Sequence, residues 1–211
     1  MNIINQKTFR YGILGATFFI VTTVLAGLQF ENYSHCSQLI SESYAIDSPY
    51  GIYLRLFGFI PSGLFIFLFS IHASKIFTSL NKVELRLYMF GIFYGLATVV
   101  VSIFPCDAGC NKELVDPSTS QLIHNTTGLL TYLIVPFSII LIGSTLKKEN
   151  KFISLSRLSM FLGILSFFFV IIFFSELSSP FIGLIQRVTE GTILIWMIMF
   201  AIETKKIMSP K

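Results

Sequence analysis

The 211 residues carry 15 Lys and Arg against 11 Asp and Glu, a net charge of +4, and are 54% hydrophobic but only 12% charged. Soluble domains have about twice that share of charge, and a chain of this size cannot hide so much apolar surface from water, so the composition excludes a water-soluble protein and points to lipid as the solvent. The basic balance would suggest nucleic acid in a soluble protein, but here it sits in short loops between apolar stretches, so nucleic acid is not an expected partner.

A helix that crosses a bilayer needs about 20 mostly apolar residues. Six segments meet that need, at about 11–28, 52–74, 87–104, 123–146, 152–174 and 181–202. The expected fold is all-α. It is a polytopic six-transmembrane-helix bundle with short loops and an amphipathic outer-face segment after the first helix, forming one transmembrane domain over 1–211. The Phe167, Phe168 and Phe169 run suits a helix that faces lipid. Lys7 and Arg10 give the first span a basic start, but its apolar stretch is longer than a signal core and no small-residue cleavage site follows, so an uncleaved helix is expected. Pro61 and Pro136 fall inside spans two and four, where a missing N–H tends to kink a helix.

Lysine and arginine placement sets the expected orientation. Lys7 and Arg10, then Lys75, Lys82 and Arg86, then Lys147, Lys148, Lys151 and Arg157, and finally Lys205, Lys206 and Lys211 fall on one side, twelve of the fifteen basic residues. The exceptions are Arg55, Lys112 and Arg187. Glu31, Glu42, Asp47, Asp107, Glu113, Asp116 and Glu176 lie near the opposite face. The expected location is the cell membrane, multi-pass, with both termini cytoplasmic and the loops near 29–51 and 105–122 on the outer or periplasmic side.

The first of these loops has helical periodicity from Glu31 to Tyr44. At 100° per residue, Glu31, His35, Gln38 and Glu42 share one stripe, and Tyr33, Cys36, Ile40 and Tyr44 the opposite one. Such a helix would lie on the membrane or over the bundle mouth. Glu31, His35 and Glu42 would then be a candidate proton or metal site, or simply a solvated face. In the second loop, Phe104-Pro105-Cys106-Asp107-Ala108-Gly109-Cys110 has the composition of a sharp exit turn. Cys106 and Cys110 suit a small disulfide; free thiols and a metal pair remain open. Cys36 is left over and is expected to pack as a small apolar group.

Five residues form the candidate ligand site. Asp107 ends span three and His124 opens span four, so antiparallel neighbours would place them at one depth as an acid–base pair. Arg187 and Glu190 lie one helical turn apart in span six, where an unpaired charge costs about 2.5–3.5 kcal/mol, so they are expected to pair, with Gln186 nearby. Arg55 is misplaced for a positive-inside protein and could meet Asp107. Two arginines near the outer leaflet would suit an anionic headgroup or substrate.

The order Ser41-Glu42, Phe104-Pro105-Cys106-Asp107, His124, and Gly183-Leu184-Ile185-Gln186-Arg187 with Trp196 resembles the uncharacterised prokaryotic membrane family known as domain of unknown function 998. The resemblance covers nearly the whole chain. It implies six spans and a bacterial or archaeal source, and it implies no activity. Where members of that family often carry Glu before the arginine, this chain has Gln186, although Glu190 could stand in.

Three functions compete. The first is binding or translocation of a lipid headgroup or small polar solute through an outward-facing pocket lined by Arg55, Asp107, His124, Arg187 and Glu190. The second is an intramembrane lipid hydrolase or transferase using Asp107 and His124, with Ser41 or a metal-bound water as nucleophile. Only three His are present, and His72 lies at the far end of span two, which disfavours a zinc centre. The third is a non-catalytic assembly or regulatory subunit, packing through Gly91-Ile92-Phe93-Tyr94-Gly95 against a protein partner or a second copy. Membrane lipids are the expected partners, and no cofactor or resident metal is expected.

Overall fold

The computed structural model describes residues 3–207. Six helices are long and apolar enough to cross a membrane: α1 Ile3–Leu28, α2 Gly51–Ser74, α3 Asn81–Ile103, α4 Thr119–Leu146, α5 Asn150–Ser175 and α6 Ile182–Ile207. No strand occurs among the described residues. The protein is an all-helical, multi-pass membrane protein. Several helices outrun their apolar stretches: α1 starts at Ile3 rather than Tyr11, and α3 at Asn81 rather than Leu87. Hydropathy marks the width of the hydrocarbon layer, whereas backbone hydrogen bonding carries a helix on into the polar headgroup zone.

Each helix packs on its neighbour in chain order, and α6 closes the ring against α1. Two ends result. At the lysine end, Lys205 of α6 lies 4.0 Å over the Phe9 ring of α1. At the same end, Phe77, after α2, meets Phe152 of α5. Lys211 lies outside the described residues. The opposite, disulfide end carries the two long loops. Outward from the ring, large apolar side chains such as Phe57, Phe161, Phe168 and Ile171 are exposed, as a lipid-facing surface requires.

The ring is filled unequally. Towards the lysine end, Phe69, Phe90, Trp196 and Phe200 are fully buried against one another, and the Trp196 indole donates to Ser159 Oγ at 2.9 Å. A buried indole N–H needs such an acceptor. Towards the disulfide end the interior is hollow.

Two spans contain a wide π-turn. Arg55–Phe59 precedes Pro61 in α2, where loosening the turn accommodates a ring that would clash with an upstream carbonyl. Gly91–Leu96 interrupts α3 and includes Tyr94. Gly91 and Gly95 do not form a surface for a partner. They face α2, where a Cβ on Gly95 would stand 2.6 Å from the Phe67 nitrogen and 2.9 Å from the Gly63 oxygen. Their lack of a side chain is what lets the α2 and α3 backbones touch.

The segment from Glu31 to Tyr44 is not the amphipathic helix its periodicity suggested. It is a chain of turns that ends in a single helical turn, Ser41–Tyr44. Its polar groups are spent on tertiary bonds instead. Leu184 N–H donates to Cys36 O at 2.9 Å, Ile40 N–H donates to Gln186 Oε1 at 2.7 Å, and Gln29 Nε2 donates to Ser43 O at 2.6 Å. These bonds turn the loop into a lid over the bundle mouth.

Candidate functional site

Beneath the lid lies a cavity of about 100 Å³. Ile40, Ser41 and Tyr44 of the lid form its roof, Phe19 of α1 and Phe59 of α2 its apolar side, and Tyr94, His124, Tyr132, Gln186 and Glu190 its polar side. Glu190 is its only acidic or basic lining residue apart from His124. Tyr94 donates to Glu190 Oε2 and Tyr132 donates to Oε1, both at 2.8 Å. A carboxylate has about four acceptor positions, so two stay available to a ligand.

Glu190 does not pair with Arg187. Among the described residues the ion pairs are Lys112–Glu42 and Lys206–Glu203, and neither Glu190 nor Arg187 has an oppositely charged partner. The guanidinium instead turns to the lid. Its Nη1 donates to the carbonyls of His35 at 2.8 Å, Gln38 at 2.7 Å and Gly183 at 2.9 Å, and its Nη2 donates to Tyr33 Oη at 2.7 Å. Three carbonyl dipoles and a phenol replace the expected carboxylate. Burial raises the Tyr33 phenol above its ordinary range, and Arg187 opposes that rise. His35 is lowered by partial burial and by Arg187. It packs edge-on against Tyr33, exposed, and gathers no carboxylate.

The Asp107–His124 pair is also not formed. Asp107 is partly exposed and accepts from Ser118 N at 3.0 Å and from Ser118 Oγ at 2.5 Å. Those bonds hold its carboxyl below the usual range, with a further one from Asn111. It therefore organises the turn that starts α4. His124 Nδ1 sits 3.0 Å from Phe104 O, and the ring is buried at the cavity wall. Arg55 is half-buried near the lid and donates to Tyr44 O at 3.4 Å, with no contact to Asp107. Glu31 is exposed on a turn, and Glu42 accepts from Lys112 at 2.7 Å and from Leu39 N at 2.8 Å. Of the five expected ligand residues, the fold thus brings only His124 and Glu190 to the cavity.

Cys106 and Cys110 form a disulfide with Cα atoms 4.8 Å apart, buried against Ala45. The two sulfurs and a His124 ring nitrogen lie within 4.8 Å of one another, but bonded sulfurs have no thiolate to give a metal. The bridged turn is pinned to the lid by Ile46 N–H, which donates to Cys106 O at 3.1 Å. Gln121 completes the joint, accepting from Asp107 N at 2.7 Å and donating to Cys110 O at 3.2 Å. Cys36 is an exposed free thiol, not a packed one.

The family model described as protein of unknown function (DUF998) matches residues 13–203. The chain belongs to this family. The match takes in four spans whole, most of α1 and α6, the lid and the bridged turn, so every residue of the cavity lies within the DUF998 region. No curated protein and no solved structure matches the chain.

Sequence reasoning passed over Tyr94, Tyr132 and Gln121. For the tyrosines a signal was present: a phenol set deep in an apolar span must find an acceptor, and Glu190 was the acidic residue within reach of the bundle interior.

Proposed function

We propose that this membrane protein binds the positively charged end of a small polar ligand, a primary ammonium group, in the cavity under the lid. One observation carries the reading. Glu190 sits within a bilayer-spanning bundle, held by two tyrosine hydroxyls and facing a cavity, without a protein cation to balance it. A charge in that setting is costly unless something pairs with it. An ammonium ion offers that pairing and three donors for the open acceptor positions. The cavity volume suits an amine and a short stem rather than a bulky solute. In this reading the disulfide end faces outward and the lysine end lies in the cytoplasm, as the basic residues at α1, α3 and α5 starts favour.

The test is a titration of delipidated protein in detergent with ethanolamine, followed by calorimetry. Saturable binding should be lost in Glu190→Gln, which keeps the shape and an acceptor oxygen for one of the two tyrosines but not the charge. Equal binding by the wild type and Glu190→Gln, or none by either, would overturn the reading.

A further inference from the structure

The cavity shares part of its wall with the bilayer side of the ring. Phe19, Ile40 and Glu190 line it, and the same three residues line a groove of about 490 Å³ between α1 and α6. The groove's remaining walls are mostly aliphatic, and Ile20, Val24 and Ile195 are about half exposed towards the lipid. Thr23, His35, Arg187 and Glu190 are the polar side chains in that lining. Thr23 Oγ1 and Arg187 Nε are both buried without a hydrogen-bond partner, and both residues line the groove.

Arg187 and Glu190 therefore present opposite charges to one groove, a single turn apart on α6, about 4.5 Å along its axis, without pairing with each other. A molecule that carries an anion and a cation across a short linker would satisfy both. An apolar tail on that molecule would fill the rest. We propose that the groove takes one phospholipid with a primary-amine headgroup, entering sideways from the bilayer. Its phosphate meets Arg187 Nε and Thr23 Oγ1, its ammonium reaches Glu190 in the shared wall, and one acyl chain lies along Leu194, Ile195 and Ile198. This names the ligand class for the Glu190 site and rests on that reading.

Gly191 supplies the test. It lines the groove but not the cavity, and a Cβ there would meet nothing within 4 Å, so a larger side chain enters open space. Delipidated protein is titrated by native mass spectrometry with short-chain phosphatidylethanolamine, phosphatidylcholine, phosphatidylglycerol and free ethanolamine. Phosphatidylethanolamine should bind about tenfold or more tighter than the other two lipids, the equivalent of one charge-assisted contact. Gly191→Leu should weaken that lipid by about tenfold and leave ethanolamine unchanged. Ile195→Trp, one helical turn further along the same wall, is the second blocking variant if the first does not fold. Lipid binding that is unaltered by a folded blocking variant, or equal among the three lipids, overturns the inference while ethanolamine binding keeps the Glu190 site. Loss of ethanolamine binding from the wild type removes both.

Discussion

Gln186 accepts the backbone N–H of Ile40 at 2.7 Å, so a side chain inside span six holds the roof of the cavity in place. Gln186→Leu leaves that buried N–H without an acceptor, at a cost of about 1–3 kcal/mol. Gln186→Glu keeps the acceptor oxygen but sets a second carboxylate one turn from Glu190. Thermal unfolding in detergent should therefore show a clear drop for the leucine variant. The glutamate variant should fall less in the presence of a bound amine than in its absence.

Tyr94 and Tyr132 each spend their hydroxyl on Glu190. A hydrogen bond to a charged group contributes about 1.5–3 kcal/mol. Tyr94→Phe and Tyr132→Phe should each lower stability by about that amount, and the two losses should not add, because both act on one carboxyl. A double-mutant cycle by chemical denaturation measures the coupling. Strict additivity would mean that the two phenols do not share a partner.

The thiols report on both chemistry and sidedness. Cys36 is exposed and free, whereas Cys106 and Cys110 are bridged. A membrane-impermeant maleimide applied to intact cells should label Cys36 alone, and labelling of Cys106 and Cys110 should require a reductant. Replacing both bridged cysteines by alanine should cost about 2 kcal/mol, the loop-closure value for so short a ring. Labelling of Cys36 only after the cells are lysed would reverse the proposed orientation.

Asp107 gives the α4 start an acid-sensitive joint. Its carboxyl is held below its ordinary value of 3.8, first by the Ser118 side chain and then by the Ser118 backbone. A group depressed in the fold contributes stability above its unfolded value and loses it as pH falls through the folded value. Amide hydrogen exchange at the first turn of α4 should therefore speed up, beyond the intrinsic pH trend, only once the pH drops below about 4. Asp107→Asn should show faster exchange at neutral pH and lose the acid step.

The six spans were legible because a bilayer tests one property, apolar length, that hydropathy measures directly. Antiparallel order followed from the short loops. Pairing among the charges was not legible in the same way. Arg187 and Glu190 have the spacing of a helical ion pair, yet the guanidinium fork finds two lid carbonyls and the Tyr33 hydroxyl, which no local pattern announces. Asp107 and His124 were expected at one depth, but Asp107 is captured by Ser118 and His124 by Phe104. The lid was misread for the opposite reason. Its polar and apolar residues do alternate at helical spacing, but several of its backbone groups are claimed by α6 rather than by one another.

Arg187 grips the lid through the Tyr33 hydroxyl and, at positions 35 and 38, through main-chain oxygens. Every amino acid brings such an oxygen, so the grip is indifferent to which residues occupy positions 35 and 38. The cap over the mouth can drift in sequence at those two positions while one arginine keeps it docked.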